Sequence, residues 1–149
     1  TGRYGMVLPT FARQAVRGEP ITVFGTGEQC RCFGHVQDTV TALLKLVEKP
    51  EAVGEVFNIG TDQEVSILRL AELVKEAAGS DSEIHKIPYS EAYAEGFEDM
   101  LRRVPDVSKL EAAVGFKPQT SLDQIIKDVV AFEHNAHAQA VGHEAPASS

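Results

Sequence analysis

The chain has 149 residues, 43% hydrophobic and 24% charged, with a formal net charge of -8. This is material for one compact domain with one core. The negative balance excludes a general affinity for nucleic acid or acidic membrane surfaces, so an anionic ligand needs a local basic pocket. No apolar run approaches the roughly 20 residues of a bilayer span. The opening residues Thr1 to Pro9 lack the basic start, apolar middle and small-residue cleavage site of a secretory signal. They also lack an initiator methionine, and the expectation is a cytoplasmic chain that begins inside a longer protein. Cys30 and Cys32 are the only cysteines, too few for a disulfide framework or a zinc site, and read as reduced intracellular thiols.

In chain order, Leu8, Phe11, Ala12 and Ala15 share one helical face, and Gly18 is placed to end that helix. Ile21 to Phe24 is β-branched and aromatic, Gly25 to Glu28 reads as a turn, and Arg31 to Val36 returns as a second strand of a β-hairpin. Val36, Val40, Leu43, Leu44 and Val47 then form an apolar stripe at helical spacing that stops at Pro50, with Asp38 suited to the positive helix N-terminus. Glu55 to Gly60 has the composition of a short buried strand. Ser66 is an N-cap for an amphipathic helix carrying Ile67, Leu70, Ala71 and Val74, which ends near Gly79. Ile84 to Tyr89 is a further strand, followed by an acidic loop from Ser90 to Asp99. Two helices close the pattern, Val107 to Val114 and Leu122 to Phe132, the second opened by a Thr120-Ser121-Leu122-Asp123 capping box. From His134 the periodicity fades, and residues 134–149 read as a disordered tail after a domain of residues 1–133. Alternating strands and helices argue an α/β fold with short parallel strands.

The absences limit the chemistry. A dinucleotide-binding half opens with a strand, a Gly-rich turn and a helix, because backbone amides must approach a pyrophosphate at the helix N-terminus. Gly25-Thr26-Gly27 instead leads into a polar turn and another strand. No tyrosine precedes a lysine by four residues, and Tyr4, Tyr89 and Tyr93 all fail that test. His134 and His137 have helical ligand spacing but no third partner, so no metal site is expected. The positive signal is Arg31, Arg102 and Arg103 in acidic surroundings, because a guanidinium stays charged and makes paired hydrogen bonds to phosphate. The competing local reading is surface ion pairing with Glu28, Glu98, Asp99 or Asp106. His35 is a candidate general acid or base by residue type, although a histidine between glycine and valine is more commonly a packed residue. Phe24, Phe33 and Phe57 read as core.

The ordered series Phe24-Gly25, Arg31-x-Phe33-x-His35-Val36-x-Asp38, Phe57-Asn58-Ile59-Gly60 and Arg103-x-Pro105-Asp106-x-Ser108-Lys109 resembles the C-terminal portion of the NAD-dependent sugar-nucleotide epimerase/dehydratase family, the extended branch of the short-chain dehydrogenase/reductases. The resemblance runs from about Thr1 to Phe132 and is nearest to UDP-glucose 4-epimerase-like and UDP-glucuronate decarboxylase-like members, with dTDP-glucose 4,6-dehydratase close behind. It implies that Thr22 and Phe24 lie along the nucleobase. Arg31 binds the diphosphate, Arg103 with Arg102 closes over it, and Phe33 and His35 flank the sugar cleft. Cys32 departs from relatives that carry an acidic or aromatic residue there.

The family's reaction, as the resemblance implies it, starts with hydride transfer from the sugar to NAD and passes through a 4-keto sugar that is epimerised, dehydrated or decarboxylated. The cofactor loop and the catalytic tyrosine and lysine belong to an N-terminal dinucleotide-binding half that this sequence lacks. The expectation is therefore a substrate-binding part of a homodimeric enzyme, inactive alone, with no catalytic residue of its own. A free-standing nucleotide-binding module is the alternative of another class, and a piece that folds poorly without its other half is a third.

Overall fold

The computed structural model describes residues 6–88 and 100–143. Tyr4, Tyr89, Tyr93 and the loop from Ser90 to Asp99, with Glu98 and Asp99, lie outside the described residues. The fold is α/β, and the chain divides into two compact units. One comprises Thr1–Gly27, Ile67–Phe97 and Ile126–Ser149, the other Glu28–Ser66 and Glu98–Ile125.

The first unit is built on α1 (Val7–Val16), β1 (Ile21–Phe24), α3 (Ile67–Ala77) and β4 (Ile84–Ile87). The apolar faces read from the sequence are the buried ones, Leu8, Phe11, Ala12 and Ala15 on α1 and Ile67, Leu70, Ala71 and Val74 on α3. Each large side chain so buried contributes about 1.5–3 kcal/mol. β1 and β4 pair in parallel from Ile21 opposite Ile84 to Phe24 opposite Ile87. Backbone N–H groups of Ile21 and Gly25 extend the ladder to the carbonyls of Glu83 and Ile87, both at 2.8 Å. The Gln14 side chain joins α1 to β1, its Nε2 donating to Thr22 Oγ1 at 2.9 Å while its Oε1 accepts the Thr22 N–H at 3.1 Å. Gly27 has φ of 79°, its carbonyl accepts the Leu68 N–H at 2.9 Å, and a Cβ there would lie 2.9 Å from both Leu68 Cβ and Val23 Cγ1. Only glycine fits that approach.

The second unit holds β2 (Cys30–Cys32), α2 (Val36–Val47), β3 (Glu64–Ser66), α4 (Ser108–Val114) and the first turn of α5 (Leu122–His143). β2 and β3 are antiparallel, with Arg31 opposite Val65, and Cys30 also bridges to Arg102 in parallel. Val65, Val107, Leu110 and Ile125 are buried. α2 buries Ala42 but leaves most of its apolar stripe in the open, from Val40 and Leu43 at 49% exposure to Val47 at 84%.

Several expectations change. The β-hairpin does not form: β1 pairs with β4 and β2 with β3, because the positive-φ glycines 25 and 27 redirect the chain and the Cys30 N–H goes to Leu101 O. Residues 55–60 are not a strand, and Val56 is 81% exposed. β-branched composition gives a tendency, but a strand needs a partner, and among the described residues none pairs there. Phe24, Phe33 and Phe57 are only partly covered, and among the described residues Phe11 is the large buried aromatic. The final helix is capped by Ser121, whose Oγ accepts the Gln124 N–H at 3.2 Å, one residue later than the expected capping box begins. It continues to His143, past the Phe132 limit and through the first ten residues of the expected tail.

Candidate functional site

The second unit contains a cavity of about 550 Å³, within the range usual for small-molecule sites. Its walls come from the end of β2 with Arg31, Cys32 and Gly34, from Thr39 on α2, from Asn58 to Thr61, and from Arg103 to Asp106. Three local structures set those walls. β2 is held to β3, so Arg31 emerges from a paired strand. α2 starts where the His35 Nδ1 accepts the Gln37 N–H at 3.1 Å, which gives His35 the part of a helix N-cap. The segment after residue 100 is tied down at both ends: Arg31 Nη1 donates to Met100 O at 2.8 Å, and Asn58 Nδ2 donates to Asp106 O at 3.1 Å.

Arg31 is half-buried, and its Nη1 also donates to Cys30 O at 2.7 Å, so main-chain carbonyls orient the guanidinium. Arg103 lines the same cavity from the other segment. Arg102, its neighbour, is not among the lining residues: its Nε and Nη2 engage both carboxylate oxygens of Glu64. The local ion-pair reading thus describes Arg102, with Glu64 as a partner the sequence did not suggest. Gly60 approaches Pro105 closely, and a Cβ on it would meet Pro105 Cγ at 3.2 Å.

The surroundings are fixed by further polar contacts. Asp38 accepts backbone N–H groups of Thr120 at 2.9 Å and Gln119 at 3.2 Å. Partial burial pushes its carboxyl up, but these hydrogen bonds, that of the Thr120 hydroxyl and the nearby His35 outweigh it and hold the carboxyl below its ordinary value. Lys117 Nζ pairs with Asp62 at 2.8 Å, and Lys109 Nζ donates to Glu55 at 2.7 Å and to Val56 O at 3.0 Å while lying 4.8 Å from the centre of the Phe57 ring. Burial, then the negative charges of Glu64 and Asp62, push the Cys32 thiol up, which keeps it protonated and a poor nucleophile at neutral pH.

Of the residues singled out in the sequence, Arg31 and Arg103 meet at the cavity. Phe33 and His35 adjoin Gly34 in sequence but are not lining residues. Thr22 and Phe24 belong to the first unit, Thr22 with its N–H and hydroxyl engaged by Gln14. Sequence reading missed Thr39 and Thr61 as wall residues. Asn58 and Asp106 were visible within the motifs, where a polar residue beside apolar or proline neighbours was the available signal. The Gly25 to Gly27 turn is closely packed: the Gly27 carbonyl accepts the Leu68 N–H, and a Cβ on Gly27 would meet Leu68 and Val23. Among the described residues no three His, Cys, Asp or Glu side chains converge as metal ligands do, and no helix is long and apolar enough to cross a membrane.

Residues 1–60 match the family described as NAD dependent epimerase/dehydratase. The chain is 36% identical over 129 residues to a UDP-N-acetyl-alpha-D-glucosaminuronate decarboxylase of Bacillus cytotoxicus, covering 87% of this chain and 40% of that one. It is 34% identical over 148 residues to UDP-glucuronic acid decarboxylase 1 of Xenopus tropicalis, covering 96% and 33%. The crystal structure of UDP-glucose 4-epimerase with UDP-glucose from Thermotoga maritima superposes with a TM-score of 0.75 at 31% identity, over 93% of this chain and 42% of that one. The chain thus spans 40% or less of the length of these curated relatives.

Proposed function

We propose, from the premise that this chain belongs to the NAD-dependent epimerase/dehydratase family, that it supplies the part of a nucleotide-sugar enzyme that grips the diphosphate of a UDP-sugar. The observation that carries this reading is the cavity whose wall Arg31 and Arg103 share. Two guanidiniums converging on one cavity of an otherwise acidic chain suit a doubly charged diphosphate. Arg31 and Arg103 hold it, and Asn58 and Thr61 supply neutral hydrogen-bonding groups on the intervening wall. On this reading NAD binding and the reacting tyrosine and lysine belong to sequence outside this chain, and the chain is inactive alone.

Relatives named as decarboxylases at 36% and 34% identity favour a UDP-linked uronic acid as substrate over the 4-epimerisation of UDP-glucose. Release of carbon dioxide from UDP-glucuronate supports that choice, and interconversion of UDP-glucose and UDP-galactose without it returns the epimerase. The homodimer implied by the resemblance is part of the same proposal, with sedimentation of the whole enzyme as its measurement.

Hydrogen bonds to charged groups contribute about 1.5–3 kcal/mol each, so a few arginine contacts yield roughly 6 kcal/mol. Immobilising a ligand costs an estimated 4–15 kcal/mol. The diphosphate alone therefore binds weakly, and the nucleobase supplies the rest. Calorimetry on the whole enzyme is expected to find UDP bound at least about tenfold, roughly 1.4 kcal/mol, more tightly than pyrophosphate. Equal affinities would remove the nucleobase contact.

A further inference from the structure

We infer that Glu64 is a positioning residue for the diphosphate site: by engaging the Arg102 guanidinium it fixes the segment from which Arg103 enters the cavity. The inference rests on the reading of the cavity given above, and it assigns a part to two residues that do not line that cavity.

The segment from Met100 to Asp106 contributes one wall of the cavity without being a strand or helix of its own. Its first residues are docked on β2, where the Cys30 N–H donates to Leu101 O at 2.8 Å and Cys30 bridges to Arg102. Neighbouring residues of a chain in β-type pairing face opposite ways. Arg102 turns to Glu64 on β3, and the next residue, Arg103, lines the cavity. The contact is a fork: Arg102 Nε lies 2.9 Å from one carboxylate oxygen and 3.1 Å from the other, and Nη2 joins the second. Two-point contact resists rotation in a way that a single lysine contact does not. Glu64 faces Cys32 across the β2–β3 ladder, so one end of the clamp is fixed by strand pairing. Its side chain is 28% exposed, against 70% for that of Arg102, which places the anchor on the more sheltered partner.

The test uses the whole enzyme. Glu64→Gln and, independently, Arg102→Gln are expected to raise KM for the nucleotide sugar by about two- to fivefold, the fold-change that exposed ion pairs are worth. Values of kcat and NAD affinity stay unchanged. Arg102→Lys, which keeps the charge and loses the fork, is expected to resemble Arg102→Gln, while the exchanged pair Glu64→Arg with Arg102→Glu recovers part of the loss. Arg103→Ala is measured alongside. If Arg103→Ala raises KM and both glutamine variants leave it unaltered, the positioning role is refuted and the cavity reading stands. If Arg103→Ala itself has no effect on KM, the cavity reading fails. A parallel fall in kcat and NAD affinity in the glutamine variants would make the pair a general structural tie and also overturn the inference.

Discussion

Replacing Gly27 with alanine separates a packing glycine from a ligand-binding one. At φ of 79° a residue with a Cβ carries the left-handed penalty of about 1–2 kcal/mol. The added carbon would also lie 2.9 Å from Leu68 Cβ and 2.9 Å from Val23 Cγ1. Leu68 Cβ is fixed by the helix backbone, and Val23 is fully buried, so neither yields by turning a rotamer. Overpacking of this kind costs about 1–3 kcal/mol, and the two contributions together give roughly 2–5 kcal/mol. Gly18 is the control: its φ is 68°, but nothing lies within 4 Å of its would-be Cβ. Gly18→Ala therefore carries the conformational penalty alone, reduced by about 0.4–1 kcal/mol because alanine also restricts the unfolded chain. Urea unfolding of the two variants beside the parent is expected to give a lower midpoint for Gly27→Ala, by a stability difference of about 1–3 kcal/mol. Equal midpoints for the two variants would refute the packing account and reopen Gly25-Thr26-Gly27 as a loop kept for a ligand.

In the whole enzyme, Arg31→Ala is expected to raise KM for the nucleotide sugar about tenfold or more, the equivalent of one charge-assisted hydrogen bond, with NAD affinity nearly unchanged. Loss of both to the same degree would give Arg31 a general structural part, through its bonds to Cys30 O and Met100 O. Acid is expected to weaken the second unit. Asp38, Asp62, Asp106 and Glu55 all have carboxyls held below their ordinary values, by backbone and hydroxyl donors or by lysine partners. A carboxyl lowered in the folded state stabilises fully above its unfolded value, about pH 4, and that contribution disappears as pH falls through the folded value. Circular dichroism melts between about pH 6 and pH 3 should show stability falling only at the acid end, and Asp38→Asn should flatten part of that fall. A steady loss from neutrality downward would point to histidines instead.

The helices were legible because their signal is local. α2 runs from Val36 to Val47 as its stripe indicates, and the buried faces of α1 and α3 contain the side chains that periodicity selects. The parallel pairing of an α/β chain was also legible from the alternation of elements. Strand partners were not, because hydrogen bonding between strands joins residues whose neighbourhood no local pattern encodes: β1 finds β4 some sixty residues on, and β2 finds β3. Residues 55–60 show the limit most plainly, with strand composition and no described partner.

The site divides in the same way. Sequence alone determined that three arginines stood out in an acidic chain, that the Gly25 to Gly27 turn opens no cofactor helix, and that the motif order resembles one enzyme family. It had no means of telling Arg102 from Arg103. That was decided by tertiary structure, which brings Glu64 on β3 against one guanidinium and leaves its neighbour on the cavity wall. The reason is distance along the chain: a charge's partner is whatever folding places within a few ångströms, and Glu64 and Arg102 are 38 residues apart until β3 and the segment after Met100 both dock on β2.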